Sequence, residues 1–287
     1  MNRWTRSAPC KVNLTLDILR RREDGYHDMY MVMQTLSLGD LVTVEEGGAS
    51  FSLKMEGLEL PAGIKSLEER AAESFFRRIG RPVPPLQVTL EKITPAYAGL
   101  GGGSADVAAL LRILRDRYAP DLSGETLESI GFEIGSDMPF CVRGGTALAE
   151  GRGEILTDLP PLPACWIVLC KPDFGIPTPS LFARYHSCGV KERPDTAGMI
   201  RGLEEGDLER ISRCMGNVFE QLLPAEFSEV FVIKKRMLEY GALNAAMSGS
   251  GPTVFGLFAE EEKARRAEEE LKKTYRETFL TAPVGKF

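Results

Sequence analysis

The chain has 287 residues, a length that fits one large or two ordinary domains. Apolar residues at 43% and charged residues at 26% exclude a globally disordered chain. Lys and Arg number 35 against 41 Asp and Glu, and the net charge of −6 argues against a generally basic nucleic-acid-binding face while leaving room for a local anion site.

The first pattern is an alternation. Val12, Leu14, Leu16 and Ile18 fall on one face of a strand and Lys11, Asn13, Thr15 and Asp17 on the other. On that pattern alone the second face is solvated, Lys11 and Asn13 with it. Residues 20–25 read as a charged turn closing a hairpin, because Met31, Met33 and residues 41–44 look like further strands; residues 51–55 add another. Residues 67–79 have helical spacing, with Ala71, Phe75 and Phe76 on one face. Leu86, Val88 and Leu90 then mark a half-buried strand. After Pro95 come Gly99, Leu100, Gly101, Gly102, Gly103 and Ser104, followed by Ala105 and the i, i+3, i+4, i+7 set Val107, Leu110, Leu111 and Leu114. That set predicts an amphipathic helix with Ser104 as its N-cap and Arg112 and Arg115 on its polar side. Three prolines within residues 160–163 exclude helix and interior strand, so they divide the chain into residues 1–158 and 159–287. Beyond them, residues 165–170 form an apolar strand. Val230, Ile233, Met237 and Tyr240 mark a helix stopped by Gly241. Residues 253–258 form a strand, 260–275 a charged helix and 278–281 a last strand. Mixed strands and helices without a regular βαβ repeat indicate an α+β fold.

The strand–glycine loop–helix unit is the sharpest chemical signal. It is no Walker A loop, since no lysine follows the glycines, and no dinucleotide fingerprint, since Ser104 stands where the third glycine belongs. It still suits phosphate. Its glycines let backbone N–H groups approach an anion, Ser104 adds a hydroxyl, and the helix start adds a positive dipole end. A second glycine loop, Ser248-Gly249-Ser250-Gly251-Pro252, invites the idea that both approach one polyphosphate. Asp173-Phe174-Gly175 is a chance match to a protein-kinase motif, because no catalytic-loop or V-A-I-K sequence accompanies it. Asp137 lies in a glycine- and proline-bounded turn, where a turn-forming role is the default; Tyr26 and His27 follow Gly25 at the hairpin, where an exposed pair is. No His, Cys, Asp or Glu cluster has metal-ligand spacing, so no protein-held metal is expected. The start of the chain lacks an apolar targeting core, and no apolar run approaches the roughly 20 residues that span a bilayer. Cys10, Cys141, Cys165, Cys170, Cys188 and Cys214 include no C-x-x-C pair. They read as reduced, mostly buried thiols of a soluble cytoplasmic protein with no nucleic-acid or membrane partner.

Taken in order, these segments resemble the GHMP small-molecule kinases. The resemblance runs over Ala8-Pro9-Cys10-Lys11-Val12-Asn13-Leu14, the glycine loop with Ala105-Asp106, Gly135-Ser136-Asp137-Met138-Pro139-Phe140, and the second glycine loop with Met247 and Thr253. Two further segments, Arg22-Glu23-Asp24-Gly25-Tyr26-His27 and Ile176-Pro177-Thr178-Pro179, narrow it to the branch that acts on a cytidine-diphosphate-linked methylerythritol in the non-mevalonate route to isoprenoid precursors. Tyr97 departs from the small residues usual before the glycine loop and bears on the adenine side.

The resemblance implies a two-domain α+β kinase fold with ATP and substrate in the cleft between the domains. The reaction is transfer of the γ-phosphoryl of ATP, with Mg²⁺, to the 2-hydroxyl of the methylerythritol unit. Lys11 and Asp137 are the implied catalytic pair, Asp137 accepting or orienting the hydroxyl proton and Lys11 keeping it ionised. Pro95, Gly99, Leu100, Gly101, Gly102, Gly103, Ser104 and Ala105 are the implied ATP-binding residues. Asn13 positions the substrate together with Thr178, Tyr26 and Phe182 sandwich the cytosine, and His27 reads its edge. A homoserine- or mevalonate-type GHMP kinase is the alternative, and its baseless substrate leaves the last three residues idle.

Overall fold

The computed structural model describes residues 2–55 and 65–287. Two long antiparallel strands, β1 (Arg3–Arg21) and β2 (His27–Glu46), form the backbone of the first half, so the strands expected separately near Met31 and residues 41–44 are one. The solvated polar face does not exist. Lys11 is 3% exposed, Asn13 1% and Asp17 6%, and Thr15 is fully buried. Two causes act together. Register shifts between Pro9 and Lys11, between Asn13 and Thr15, and between Ile18 and Arg20 re-aim side chains along β1. The polar side is also covered: Arg193 Nη1 donates to Asp17 Oδ1 at 2.6 Å, and Thr196 Oγ1 donates to Thr15 Oγ1 at 3.2 Å.

The chain continues through β3 (Ser52–Met55), α1 (Leu67–Arg78), β4 (Leu86–Glu91), α2 (Gly102–Tyr118), α3 (Gly124–Phe132), α4 (Met138–Arg143), β5 (Thr146–Gly151) and β6 (Ile155–Asp158). The free edge of β2 pairs with β4 over Leu41–Glu46 and with β5 over Met29–Gln34. Helix α1 forms as its spacing predicts: Ser66 accepts from the Glu69 amide as N-cap, and Ala71, Phe75 and Phe76 are buried against α2 and β4. The expected cap of α2 is different. Gly101, in the left-handed region at φ 68°, is the N-cap, and Ser104 lies inside the first turn. Arg112 is not on a solvated side either. It is buried, and its Nη1 donates to the Cys141 and Val142 carbonyls at 2.6 and 3.3 Å, satisfying orphan acceptors at the end of α4.

Residues 159–165 carry the prolines in coil, and β7 (Trp166–Lys171) follows. Then come α5 (Thr178–Cys188), α6 (Thr196–Glu205), α7 (Leu208–Cys214), β8 (Gly216–Asn217), α8 (Glu229–Glu239), β9 (Asn244–Met247), β10 (Val254–Phe258), α9 (Glu261–Lys272) and β11 (Glu277–Thr281). A second, antiparallel sheet has the order β11-β7-β10-β9. One of its faces buries Val168, Cys170, Val254 and Phe258 against α8 and α9. The other buries Ile167, Leu169, Phe255 and Leu257 with Val12 and Leu14 of β1 and with α6 and α7. The short β8 returns to the first sheet, parallel to β1 at Thr15 and Leu16. The central part of β1, a strand of the first sheet, thus packs against the second sheet, and this fixes where Lys11 points. Four cysteines are buried, Cys188 is exposed and Cys214 is intermediate; all six are free. Among the described residues no helix is long and apolar enough to cross a membrane.

Candidate active site

A cavity of about 630 Å³ lies between β1–β2, the two glycine loops, the α3–α4 turn and α5. One end of it is built on Lys11. Burial takes this ammonium away from water, so it needs partners. Its Nζ lies 3.1 Å from Asp137 Oδ2 and donates to Asn13 Oδ1 at 2.9 Å. Asp137 starts α4, yet its carboxylate makes no capping hydrogen bond there; the turn only sets the backbone and leaves the side chain for Lys11. Asn13, besides lining the cavity, holds the lysine.

The glycine loop is hooked to the same strand. The Lys11 amide donates to the Leu100 carbonyl at 2.9 Å. A Cβ on Gly101 would lie 3.0 Å from Lys11 Cε, so the glycine leaves the space that the lysine stem fills. The two loops meet: Ser248 Oγ donates to the Gly99 carbonyl at 3.0 Å, and a Cβ on Gly99 would fall 2.1 Å from the Ser248 carbonyl oxygen. Gly99 and Gly101 line the cavity beside Gly249 and Ser250. Pro95, Leu100 and Ala105 are buried, and they, Gly102, Gly103 and Ser104 are outside its lining. The described structure thus places Gly99 and Gly101 of the proposed nucleotide-binding set in the cavity and the other six residues outside its lining. Tyr97, at φ 51° and 90% exposed, lies in a separate depression with Phe174 and Gly175.

Behind the loop, Lys92 Nζ donates to Asp106 Oδ2 of α2 at 2.5 Å and also to Asp40, whose other oxygen accepts from the Ile93 and Thr94 amides. Burial, helped by Asp40, pushes the Asp106 carboxyl up to about 7 despite Lys92. Burial works against the Lys92 ammonium, but the two carboxylates outweigh it and leave its pKa raised. Two carboxylates therefore share one lysine under the start of the helix.

The far end of the cavity is aromatic. The His27 ring stacks on Phe182 of α5 at 4.4 Å and 17°, and His27 Nε2 is 3.0 Å from His186 Nε2. Burial, the neighbouring His186 and Arg21 lower the His27 pKa. Tyr26 is half exposed, with the Arg152 guanidinium 3.6 Å from its ring centroid. Phe182 and Tyr26 thus each already carry a stacked neighbour. Thr178, at the start of α5, shares a 2.7 Å hydrogen bond with Ser250 Oγ, tying this end to the second glycine loop.

Three residues of this region escape motif reading. His186 stands four residues after Phe182 on α5, and being one of only two histidines was its available signal. Arg152 sits between Gly151 and Gly153 at the tip of the β5–β6 hairpin. Asn217 of β8 donates to the Met247 and Gly249 carbonyls at 2.7 and 2.8 Å, holding the second loop through contacts that no local pattern announces. Among the described residues no group of three or more His, Cys, Asp or Glu is placed to hold a metal ion.

Residues 66–145 match the GHMP kinases N terminal domain, and residues 199–277 match the GHMP kinases C terminal family. The chain is 41% identical over 278 residues to a 4-diphosphocytidyl-2-C-methyl-D-erythritol kinase of Pelotomaculum thermopropionicum, covering 96% of each chain. It is 41% identical over 284 residues to that of Moorella thermoacetica, covering 98% of this chain and 99% of the relative. A crystal structure of 4-(cytidine 5'-diphospho)-2C-methyl-D-erythritol kinase superposes with a TM-score of 0.81 at 33% identity, covering 98% of this chain and all of that one. A homoserine kinase from Cytophaga hutchinsonii shares the fold, with a TM-score of 0.75 at 17% identity, covering 100% of this chain and 96% of that one.

Proposed function

The chain belongs to the GHMP kinases, and within them to the 4-diphosphocytidyl-2-C-methyl-D-erythritol kinases, and from that premise we propose how its site transfers the γ-phosphoryl of ATP to the 2-hydroxyl of that substrate. The observation that carries the reading is one cavity with the Lys11–Asp137 pair and the glycine loop at one end and His27, Tyr26 and Phe182 at the other.

In this reading the hydroxyl oxygen attacks the γ-phosphorus, the bond to the β–γ bridging oxygen breaks, ADP leaves and the hydroxyl proton passes to Asp137. Lys11, held by Asn13, offsets charge on the transferring group. Backbone amides of the glycine loop and the positive end of α2 take the nucleotide phosphates, the anion geometry that a helix start offers. Mg²⁺ supplies charge neutralisation on those phosphates. The donor set fits a metal that arrives on ATP, because Asp106, in the first turns of α2, and Asp40 are committed to Lys92. At the far end the base stacks among Tyr26 and Phe182, and His27, whose Nε2 faces His186, offers Nδ1 to its edge. Thr178 keeps α5 in reach of the second loop. The domain boundary at 158/159 belongs to the same reading, as does a cytoplasmic setting, which the six free cysteines fit.

The test is ADP release from Mg-ATP with the cytidyl-diphospho-methylerythritol, homoserine, mevalonate and galactose. Turnover confined to the first is expected. Turnover on a substrate without a base discards the cytidine end and keeps the kinase, and none on any of the four discards both.

A further inference from the structure

We propose that Arg152 binds the diphosphate of the nucleotide-linked substrate and so distinguishes a nucleoside diphosphate from a bare nucleoside. The inference rests on the cytidine reading above and adds a residue to it.

The first argument is charge. The cavity is lined by three cations, Lys11, Arg21 and Arg152, and by a single carboxylate, Asp137. Lys11 is the one paired with that carboxylate. Among the described residues neither Arg21 nor Arg152 forms an ion pair. The nearby acids make no ion pair with it: Asp24, close enough to feel the Arg152 charge, pairs with Arg22, and Glu154 accepts from the backbone amide of Arg152, not from its guanidinium. Arg152 Nε is buried without a hydrogen-bond partner. A buried guanidinium donor left unpaired is costly, and in a cavity lined this way the missing partner is an anion.

The second argument is place. Arg152 lies over Tyr26, at the base end, and 5.0 Å from the Phe132 ring centroid. Its neighbour Gly153 packs on the turn that carries Asp137: a Cβ there would lie 3.2 Å from the Ser136 carbonyl oxygen. The hairpin tip therefore bridges the two ends of the cavity, and the group that links a base-bearing nucleoside to a reacting alcohol must cross that same gap. A planar fork of donors stacked on an aromatic ring suits two phosphoryl oxygens better than an ammonium would. Arg21, at the end of β1 close enough to act on His27, adds a second cation on the nucleoside side.

The test compares wild type, Arg152→Gln and Arg152→Lys by steady-state kinetics, with CDP and cytidine as competing ligands. Arg152→Gln is expected to raise KM for the cytidyl-diphospho substrate and Ki for CDP by about ten- to a hundredfold, the loss of a charge-assisted contact. Ki for cytidine and KM for ATP are expected to stay within about twofold, since neither uses this contact. Arg152→Lys recovers part of the loss, and added salt weakens CDP more than cytidine in wild type. If CDP and cytidine weaken together, Arg152 only steadies Tyr26 and the inference is overturned; if neither weakens, it is also overturned. Wild type that binds no CDP at all removes the cytidine reading and this inference with it, whereas wild type that binds CDP as tightly as Arg152→Gln removes this inference alone.

Discussion

Two glycines of one loop, Gly99 and Gly103, are expected to respond in opposite ways to the same added methyl group. At Gly99 the backbone is left-handed, φ 75°, and a Cβ would meet the Ser248 carbonyl oxygen at 2.1 Å and the Gly251 amide nitrogen at 3.0 Å. Both obstacles are backbone, so no rotamer change relieves them. An ordinary carbon–oxygen contact is about 3.3 Å, which forces the loops apart by roughly 1 Å. That movement costs the Ser248 Oγ–Gly99 hydrogen bond, about 1 kcal/mol, on top of about 1–2 kcal/mol for a non-glycine residue in this region. With lost packing between the loops, Gly99→Ala is expected to cost about 3–4 kcal/mol, which for a chain of this size lowers Tm by on the order of 10 °C. Gly103 is helical, and the nearest atom to its Cβ is Leu67 Cδ1 at 3.9 Å, ordinary contact. Gly103→Ala is expected to be neutral or to stabilise by about 0.5–1 kcal/mol. Thermal melting reads both effects. A Gly99→Ala protein melting within about 2 °C of wild type refutes the loop-to-loop argument. So does a Gly103→Ala protein that loses as much stability as Gly99→Ala.

Asp137→Ala is expected to lower kcat by about a thousandfold or more while ATP affinity, followed by nucleotide titration, changes little; normal turnover would remove Asp137 from the chemistry. Because burial, with His186 and Arg21, lowers the pKa of His27 from 6.5, the acid limb of kcat/KM for the cytidyl substrate is expected below pH 6.5. Replacing His186 by Gln removes a neighbouring charge and is expected to move that limb upward; a wild-type limb above 6.5 contradicts this. Asp106 has a folded pKa raised from 3.8 to about 7, so the native state binds the extra proton and this group's contribution to stability is lost as pH rises through that window. The melting temperature of Asp106→Asn minus that of wild type is therefore expected to grow between pH 4 and 7 and to level off above it, and a flat difference refutes the shared-lysine reading.

The parts of this molecule that were legible in its sequence are those whose structure is decided locally. Helices α1 and α8 and strand β4 bury one side, so the period of their apolar residues reports their geometry directly. The glycine loop was legible for a related reason: a backbone that must reach φ near 70° at Gly99 and Gly101 selects glycine wherever it occurs. β1 misled because its burial is set from both sides. The alternation of Val12, Leu14, Leu16 and Ile18 is real, but Lys11, Asn13, Thr15 and Asp17 are covered by segments as distant as Arg193 and Thr196, and register shifts re-aim the strand between them. α5 buries only Leu181 and α7 only Ile211 and Ser212, so neither gives a strong period. The candidate site divides along the same line. In the proposed mechanism Lys11, Asp137 and the glycines act through backbone conformation and one short ion pair, so the spacing of their motifs points to the class of reaction. His186, Arg152 and Asn217 act through partners brought to them by tertiary packing, His27 being 159 residues from His186 and Met247 30 residues from Asn217. Motif reading therefore reaches phosphoryl transfer before it reaches selectivity. Chain-specific discrimination is to be sought in side chains such as Arg152, which no motif names and whose missing partner only the fold reveals.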